Sequence, residues 1–295
     1  MHVILAANGH IGSVVAQNLI ERGEPVTVVL HSDSSAADWK RRGARVAIAD
    51  IHDTRALTKI FREGRRLYLL NPPAPPSTDT DREERKTIAS ILAALDESPI
   101  ERVVAESAYG AQPGERVGDL GVLFELEQQL STRRISSSII RGAYYLSNWD
   151  AALSAVREQG TLQTFYPPDF VLPMVAPRDI GIVAARLMTE PTTSSGITYV
   201  EGPARYSSRD VASAFAKVLR RDVQAVETPL ERWESSLRSM GFSEPAARSF
   251  AAMNSATLQA KFPDVTEVTR GSTTLQMYID ELVAPVASAA SLPRG

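Results

Sequence analysis

The first thirty residues, MHVILAANGHIGSVVAQNLIERGEPVTVVL, decide the fold class. Val3 to Ala6 is a short apolar run, and Ala6-Ala7-Asn8-Gly9-His10-Ile11-Gly12 follows it. Ile11 to Arg22 then places Ile11, Val14, Val15 and Leu19 on one helical face, with Gly23 as a stop. Val26 to Leu30 is β-branched and almost wholly apolar, as a strand buried on both faces should be. A strand, a glycine loop, a helix and a second strand make a βαβ unit. In such a unit Gly9 lets the backbone approach a pyrophosphate, and Gly12 lets the helix pack close to the sheet. The helix N-terminus supplies N–H groups and partial positive charge to phosphates. An ordinary strand-to-helix turn has the same outline, so the loop's weight comes from its context.

Outward from this unit the alternation continues. Helix patterns cover Asp38–Arg42, about Asp53–Glu63, Asp81–Leu95 and Leu120–Leu130. Strand patterns cover Val46–Ile48, Leu67–Leu70, Arg102–Ala105 and Ser137–Ile140. This predicts an α/β protein with a Rossmann-type, doubly wound parallel sheet. After about Tyr144 the pattern loosens. Phe170–Val175 and Ile197–Val200 read as strands around a helix over Arg178–Met188. Helices are expected at Ser208–Leu219, Leu230–Met240, Glu244–Phe262 and Ser272–Val283. The expected organisation is a dinucleotide-binding domain over 1–145, to which 170–202 returns. A smaller, mostly helical substrate lobe covers 203–285, and 286–295 is a frayed tail.

Composition narrows the function. Of 295 residues 43% are hydrophobic and 23% charged, with a net charge of −3 and the two signs interspersed. Nothing there points to a nucleic-acid face. The absence of cysteine excludes disulfides, thiolate metal sites and a cysteine nucleophile. His2, His10, His31 and His52 lack the spacing of a metal set, so no metal is expected. There is no G-x-S-x-G elbow. No stretch reaches the length of a membrane span, so a soluble cytoplasmic protein is the expectation.

Other residues bear on the ligands. After the second strand the chain reads Leu30-His31-Ser32-Asp33-Ser34, with no acid at the strand tip. This leans towards NADP(H), with NAD(H) as the alternative, although a polar loop without ligand role reads the same. Asp50, after the third strand, either faces the adenine or makes a turn before His52. Ser107 and Tyr109 follow the fifth strand and are the candidate catalytic groups; local bonding of their hydroxyls is the alternative. Tyr144, Tyr145, Asn148 and Trp149 follow the sixth. With Phe165, Tyr166 and Phe170 they form either an aromatic wall for a planar substrate or a plain hydrophobic seam between lobes.

In order along the chain, these segments resemble the NmrA-like family of atypical short-chain dehydrogenase/reductases. The resemblance rests on Asn8-Gly9-His10-Ile11-Gly12, Asp50-Ile51-His52-Asp53, Leu70-Asn71-Pro72-Pro73 and Arg102-Val103-Val104-Ala105-Glu106-Ser107. It continues through Arg141 to Asn148, Ala176-Pro177-Arg178-Asp179-Ile180 and Thr269-Arg270-Gly271. The family includes NADPH-dependent quinone and azo-dye reductases, isoflavone-type reductases and non-catalytic redox-sensing regulators. The resemblance implies a cofactor site at Ala7, Asn8, Gly9, His10, Ile11, Gly12, His31, Asp50, Asn71 and Pro72. It implies a substrate side at Tyr109, Tyr144, Tyr145 and Asn148. Three departures stand out. The family's first loop glycine is Ala6, its arginine after the second strand is His31, and Leu123 stands where relatives carry Lys or His. No Tyr-x-x-x-Lys pair occurs in the chain.

Two functions are therefore expected. One is an oxidoreductase passing hydride from NADPH to a quinone-like or other conjugated small molecule. The alternative is a non-catalytic NADP(H)-sensing regulator or interaction protein. A homodimer is compatible with either. Gly12→Val is expected to weaken nucleotide binding and leave the fold largely intact.

Overall fold

The alternating pattern of the first half builds one parallel sheet. The structure, a computed structural model, describes residues 1–260, 262 and 268–284. The first half runs β1 (His2–Ile4), α1 (His10–Glu21), β2 (Val26–Leu30), α2 (Ala36–Arg41), β3 (Arg45–Ile48), α3 (Thr54–Arg62), β4 (Arg66–Leu69), α4 (Thr80–Asp96), β5 (Arg102–Ala108), α5 (Asp119–Ser131) and β6 (Ser136–Gly142). Next come β7 (Tyr144–Tyr145), a 3-10 helix (Leu146–Ala152), α6 (Leu153–Gln159), β8 (Thr161–Thr164), β9 (Leu172–Val175), α7 (Pro177–Thr189) and β10 (Gly196–Glu201). The chain continues through β11 (Arg205–Tyr206), α8 (Ser208–Leu219), β12 (Gln224–Glu227), a 3-10 turn (Leu230–Arg232), α9 (Trp233–Ser239), α10 (Glu244–Gln259), β13 (Val268–Arg270) and α11 (Leu275–Val283).

Eight strands form the main sheet in the order β13-β10-β6-β5-β4-β1-β2-β3, and every pair is parallel. Helices cover both faces, which is why all five residues of β2 are buried and apolar or β-branched. On one face Ile11, Val15 and Leu19 of α1 share a core with Ile180 and Ala184 of α7 and with Ile4, Tyr68 and Val104 of the sheet. On the other, Leu57 and Phe61 of α3, Ile88 and Ile91 of α4 and Leu126 of α5 pack on Val3, Leu69 and Val103. Burying one such side chain contributes roughly 1.5–3 kcal/mol. Strand order reverses between β1 and β4, so the loops leaving them part to opposite faces and open a crevice at the carboxyl edge.

The opposite edge of the sheet is tied to the end of α7. Arg66 donates to the carbonyls of Met188 (2.6 Å) and Glu190 (2.5 Å). The buried Arg102 donates to the carbonyls of Leu187 (2.9 Å) and Pro191 (3.0 Å) and to Ser138 Oγ (2.9 Å). These cations satisfy carbonyls that the helix end leaves free.

The second half departs from expectation in several places. The 196–201 stretch joins the main sheet as β10, as expected, but β13 extends that sheet from within a lobe expected to be mostly helical. Leu172–Val175, by contrast, sits in a separate three-stranded sheet, β11-β9-β7, while β12 and β8 form a parallel pair. Strands of two to four residues carry too little alternation to be seen in sequence. The helix expected over Leu230–Met240 is a 3-10 turn followed by α9, and α11 starts at Leu275 because Thr274 caps it. The tail expected at 286–295 lies outside the described residues. Leu146, Trp149, Leu172, Val211, Phe215 and Ile279 form the core of this second, mixed lobe. It is fastened to the sheet where buried Asp179, at the start of α7, accepts from the backbone N–H and hydroxyl of Thr273 (both 2.9 Å).

Candidate functional site

The loop after β1 turns on Ala6, whose φ of +52° lies in the left-handed region that favours glycine. The Leu5 N–H still reaches Tyr68 O on β4 (3.2 Å), and the Gly9 N–H closes a turn on Ala6 O (2.9 Å). Gly9 then caps α1 without a side chain, and the first turn of α1 has no acidic residue. The free N–H groups and the helix dipole of that first turn therefore meet no acid of the turn itself. Gly12 sits one turn in. A Cβ there would lie 2.3 Å from Ala6 O, so only glycine lets the helix rest on this loop. Ala7 and Ile11 are buried in the core and offer only backbone to a ligand.

Asn8 is committed within the protein. Its Oδ1 accepts from Ser35 Oγ and from the indole N–H of Trp39, both at 2.9 Å. This joins the first loop to α2. Ser35 and Trp39 were not legible as site residues, because nothing in sequence places α2 against the loop. His10 is exposed, its Nε2 3.9 Å from Asp150. His31 is exposed beside Ser32 and Ser34, whose hydroxyls lie 3.1 Å apart. Asp50 accepts the His52 N–H (2.9 Å), which makes it a turn residue with one oxygen engaged.

On the far side of the crevice, Asn71 follows β4, and its Oδ1 is buried with no partner among the described residues. Half-buried Pro72 comes next. The Ala74 N–H donates to Glu84 of α4 (3.0 Å). Buried Glu84 in turn is hydrogen-bonded to Asp119 at the start of α5, and both carboxyls are pushed up, Glu84 chiefly by its burial.

The substrate-side candidates separate. Strand β5 runs past the expected end to Ala108, so Ser107 is a buried strand residue paired with Arg141. Its hydroxyl donates to Glu127 (2.5 Å), which also holds Arg141 through two bonds (2.9 and 2.6 Å). Tyr109 is buried too, and its hydroxyl donates to Glu201 (2.9 Å). Burial, with the Glu201 carboxylate beside it, raises the Tyr109 pKa above the usual tyrosine range. Both hydroxyls are thus bonded inside the protein, to the distant side chains of Glu127 and Glu201 rather than to local groups. Tyr144 and Tyr145 are half-buried, and exposed Asn148 is hydrogen-bonded to the Tyr144 hydroxyl. Tyr145 folds back over Gly142, where a Cβ would lie 2.9 Å from its ring. Trp149 and Tyr166 are buried and stack with Tyr144 and Phe170, ring centres 5.6–6.1 Å apart. Most of the expected wall is thus packed in or against the core of the second lobe.

Among the described residues no helix is long and apolar enough to cross a membrane, and no group of His, Asp and Glu could hold a metal.

Known structures share this architecture. The NADPH-dependent quinone oxidoreductase of Escherichia coli in complex with NADPH superposes with a TM-score of 0.79 at 19% identity, over 96% of this chain and 99% of that one. Triphenylmethane reductase from Citrobacter sp., complexed with NADP(H), gives 0.79 at 17% identity over the same shares, 96% and 99%. A nucleoside-diphosphate-sugar epimerase from Staphylococcus aureus gives 0.77 at 16%, over 95% and 99%. At such identities the likeness is one of fold. No curated protein matches the chain in sequence. The model of the NmrA-like family matches residues 2–288, nearly the whole length, and the chain belongs to that family.

Proposed function

We propose that the crevice between the β1 and β4 loops binds a nicotinamide dinucleotide, and that the protein is an oxidoreductase acting on a conjugated small molecule. One observation carries the reading. The N-terminus of α1 meets the carboxyl edge at the switch point with an exposed glycine, no capping side chain and no acid in its first turn. That is the environment a pyrophosphate needs. The orphaned, buried Oδ1 of Asn71 on the opposite rim fits a ligand donor there. The structures superposed above in complex with NADPH or NADP(H) support the same reading.

Backbone N–H groups of residues 8–12 would hold the phosphates, and His31 with Ser32 and Ser34 would face the adenosine ribose. No fixed cation stands at the tip of β2, so the preference for NADPH over NADH should be modest. The bound nicotinamide supplies the hydride. The chain's own part is to seat the flat acceptor between Pro72 and the Tyr144–Tyr145 side and to exclude water there. A quinone takes its proton from solvent, so no tyrosine–lysine pair is required.

A second reading, a nucleotide-sensing regulator, is favoured by one observation: the hydroxyls of Ser107 and Tyr109 are bound to Glu127 and Glu201. Fluorescence titration with NADPH, then multiple-turnover NADPH oxidation with a panel of quinones, separates the two. Micromolar binding with turnover supports the reductase, and tight binding without turnover supports the sensor. Absence of binding removes both.

A further inference from the structure

Strand β4 ends at Leu69, which pairs with Ala105 of β5. Strand β5 continues for three more residues alongside β6. Glu106 is therefore the first residue of β5 to overhang β4, at the carboxyl edge beside the loop that carries Asn71. Its side chain lies on the face of Tyr68 and Val104, the face covered by α1 and α7. It is 3% exposed. Oε1 accepts from the Tyr68 hydroxyl (3.1 Å), while Oε2 is buried and has no partner among the described residues.

A buried carboxyl beside no cation keeps its proton. The titratable groups facing Glu106 are the hydroxyls of Tyr68 on β4 and Tyr145 on β7, with Asp119 of α5 beyond Tyr145. Helices α1 and α7 send apolar side chains, Ile11, Val15, Ile180 and Ala184, into this core. Burial accordingly pushes Glu106 up to about 8. Since Oε1 is the acceptor for Tyr68, the proton belongs on Oε2. The result is an O–H donor with no protein acceptor at the edge of the crevice, an arrangement that costs about 1–3 kcal/mol unless something accepts from it.

We propose that Glu106 donates a hydrogen bond from Oε2 to a carbonyl oxygen of the molecule bound in the crevice. The inference rests on the crevice being the nicotinamide and acceptor site. The carbonyl belongs either to the carboxamide of the nicotinamide or to the acceptor. Glu106 is a positioning group here: no bond to it forms or breaks, and its proton stays on Oε2.

The test uses the full chain as wild type, E106Q and E106L, with NADPH and 1,4-benzoquinone as probes between pH 7 and 9.5. Glutamine keeps a donor that does not ionise. For the carboxamide source, the wild-type Kd for NADPH weakens about three- to tenfold as pH rises through about 8. E106Q then stays flat across that range, and E106L binds three- to tenfold more weakly throughout. For the acceptor source, the KM of benzoquinone follows the same pattern while the NADPH Kd stays flat. Should E106L fail to fold, the contrast between wild type and E106Q decides alone. The proposal is overturned if wild type binds NADPH but neither constant responds to pH or to E106Q; Glu106 is then satisfied by an ordered water only. Failure of the wild type to bind NADPH at any pH removes the crevice reading itself, a result distinct from the former.

Discussion

At the scale of single residues, the sequence exposed positions whose reason only the structure supplies. Ala6, noted for standing where the family has glycine, adopts φ +52°. A left-handed alanine is strained by roughly 1–2 kcal/mol, partly offset because glycine has more freedom to lose on folding. Ala6→Gly should therefore stabilise the protein by about 0.5–1 kcal/mol and raise Tm by about 2 °C; an unchanged or lower melting temperature would contradict the strain. Tyr109 was legible as a polar group near the carboxyl edge. Its hydroxyl's real partner, Glu201, is 92 residues away on β10 and could not be read from local pattern. Tyr109→Phe removes one of the bonds to Glu201, which keeps Arg205 (2.9 Å) and Arg270 (3.1 Å). The expected loss is about 1 kcal/mol of stability, with quinone turnover lowered less than threefold. A drop in turnover of about a hundredfold in the folded variant would show that Tyr109 is a proton donor after all.

At the scale of elements, the first half was legible because long periodic helices alternate with buried apolar strands. The expectation and the structure differ there by one to three residues at most boundaries. The second half hid short strands such as Thr161–Thr164 and Arg205–Tyr206, whose pairing is set by tertiary contacts. In the β1–α1 turn the two glycines, expected to serve phosphate approach and helix packing respectively, have different surroundings: Gly9 is exposed and Gly12 is buried. At Gly9 a Cβ would stand 3.3 Å from Ala6 O, which a small shift relieves; at Gly12 the same atom would be 2.3 Å away. This corrects the expectation that Gly12→Val leaves the fold intact. Either Gly12→Ala or Gly12→Val must push α1 off the sheet and should cost about 3 kcal/mol or more, as overpacking of a rigid core does. Gly9→Ala should keep Tm within about 2 °C and weaken NADPH binding several-fold by crowding the phosphate approach. Circular dichroism melts and NADPH titration of the variants separate the two roles. Equal melting temperatures for the Gly9 and Gly12 variants would refute the difference in packing.

At the scale of the whole molecule, the buried acids make stability depend on pH in an unusual direction. Most carboxyls in folded proteins are held below their ordinary values and destabilise the fold when acid protonates them. Here Glu106 is raised to about 8 by burial, and the Glu84–Asp119 pair is raised too. Between an unfolded value of about 4.3 and the raised folded value, the folded chain holds protons that the unfolded chain releases. Stability must then fall as pH rises through that window and level off above about 8. His2 acts oppositely. Burial lowers its pKa, so it contributes stability that is lost as pH drops below about 6.5. Above pH 6.5 the acids act alone. Glu106 should contribute at most about 2 kcal/mol of lost stability between pH 6.5 and 8, at 1.36 kcal/mol per pH unit. Melting temperature should fall by several degrees over that range in wild type and by distinctly less in E106Q, which has no proton to release. Because this slope belongs to folding, it must appear without any nucleotide. Added NADPH shifts the whole curve upward by mass action. If wild type and E106Q melt along parallel curves from pH 6.5 to 8.5, Glu106 is ionised in the folded protein and the neutral donor at the crevice does not exist.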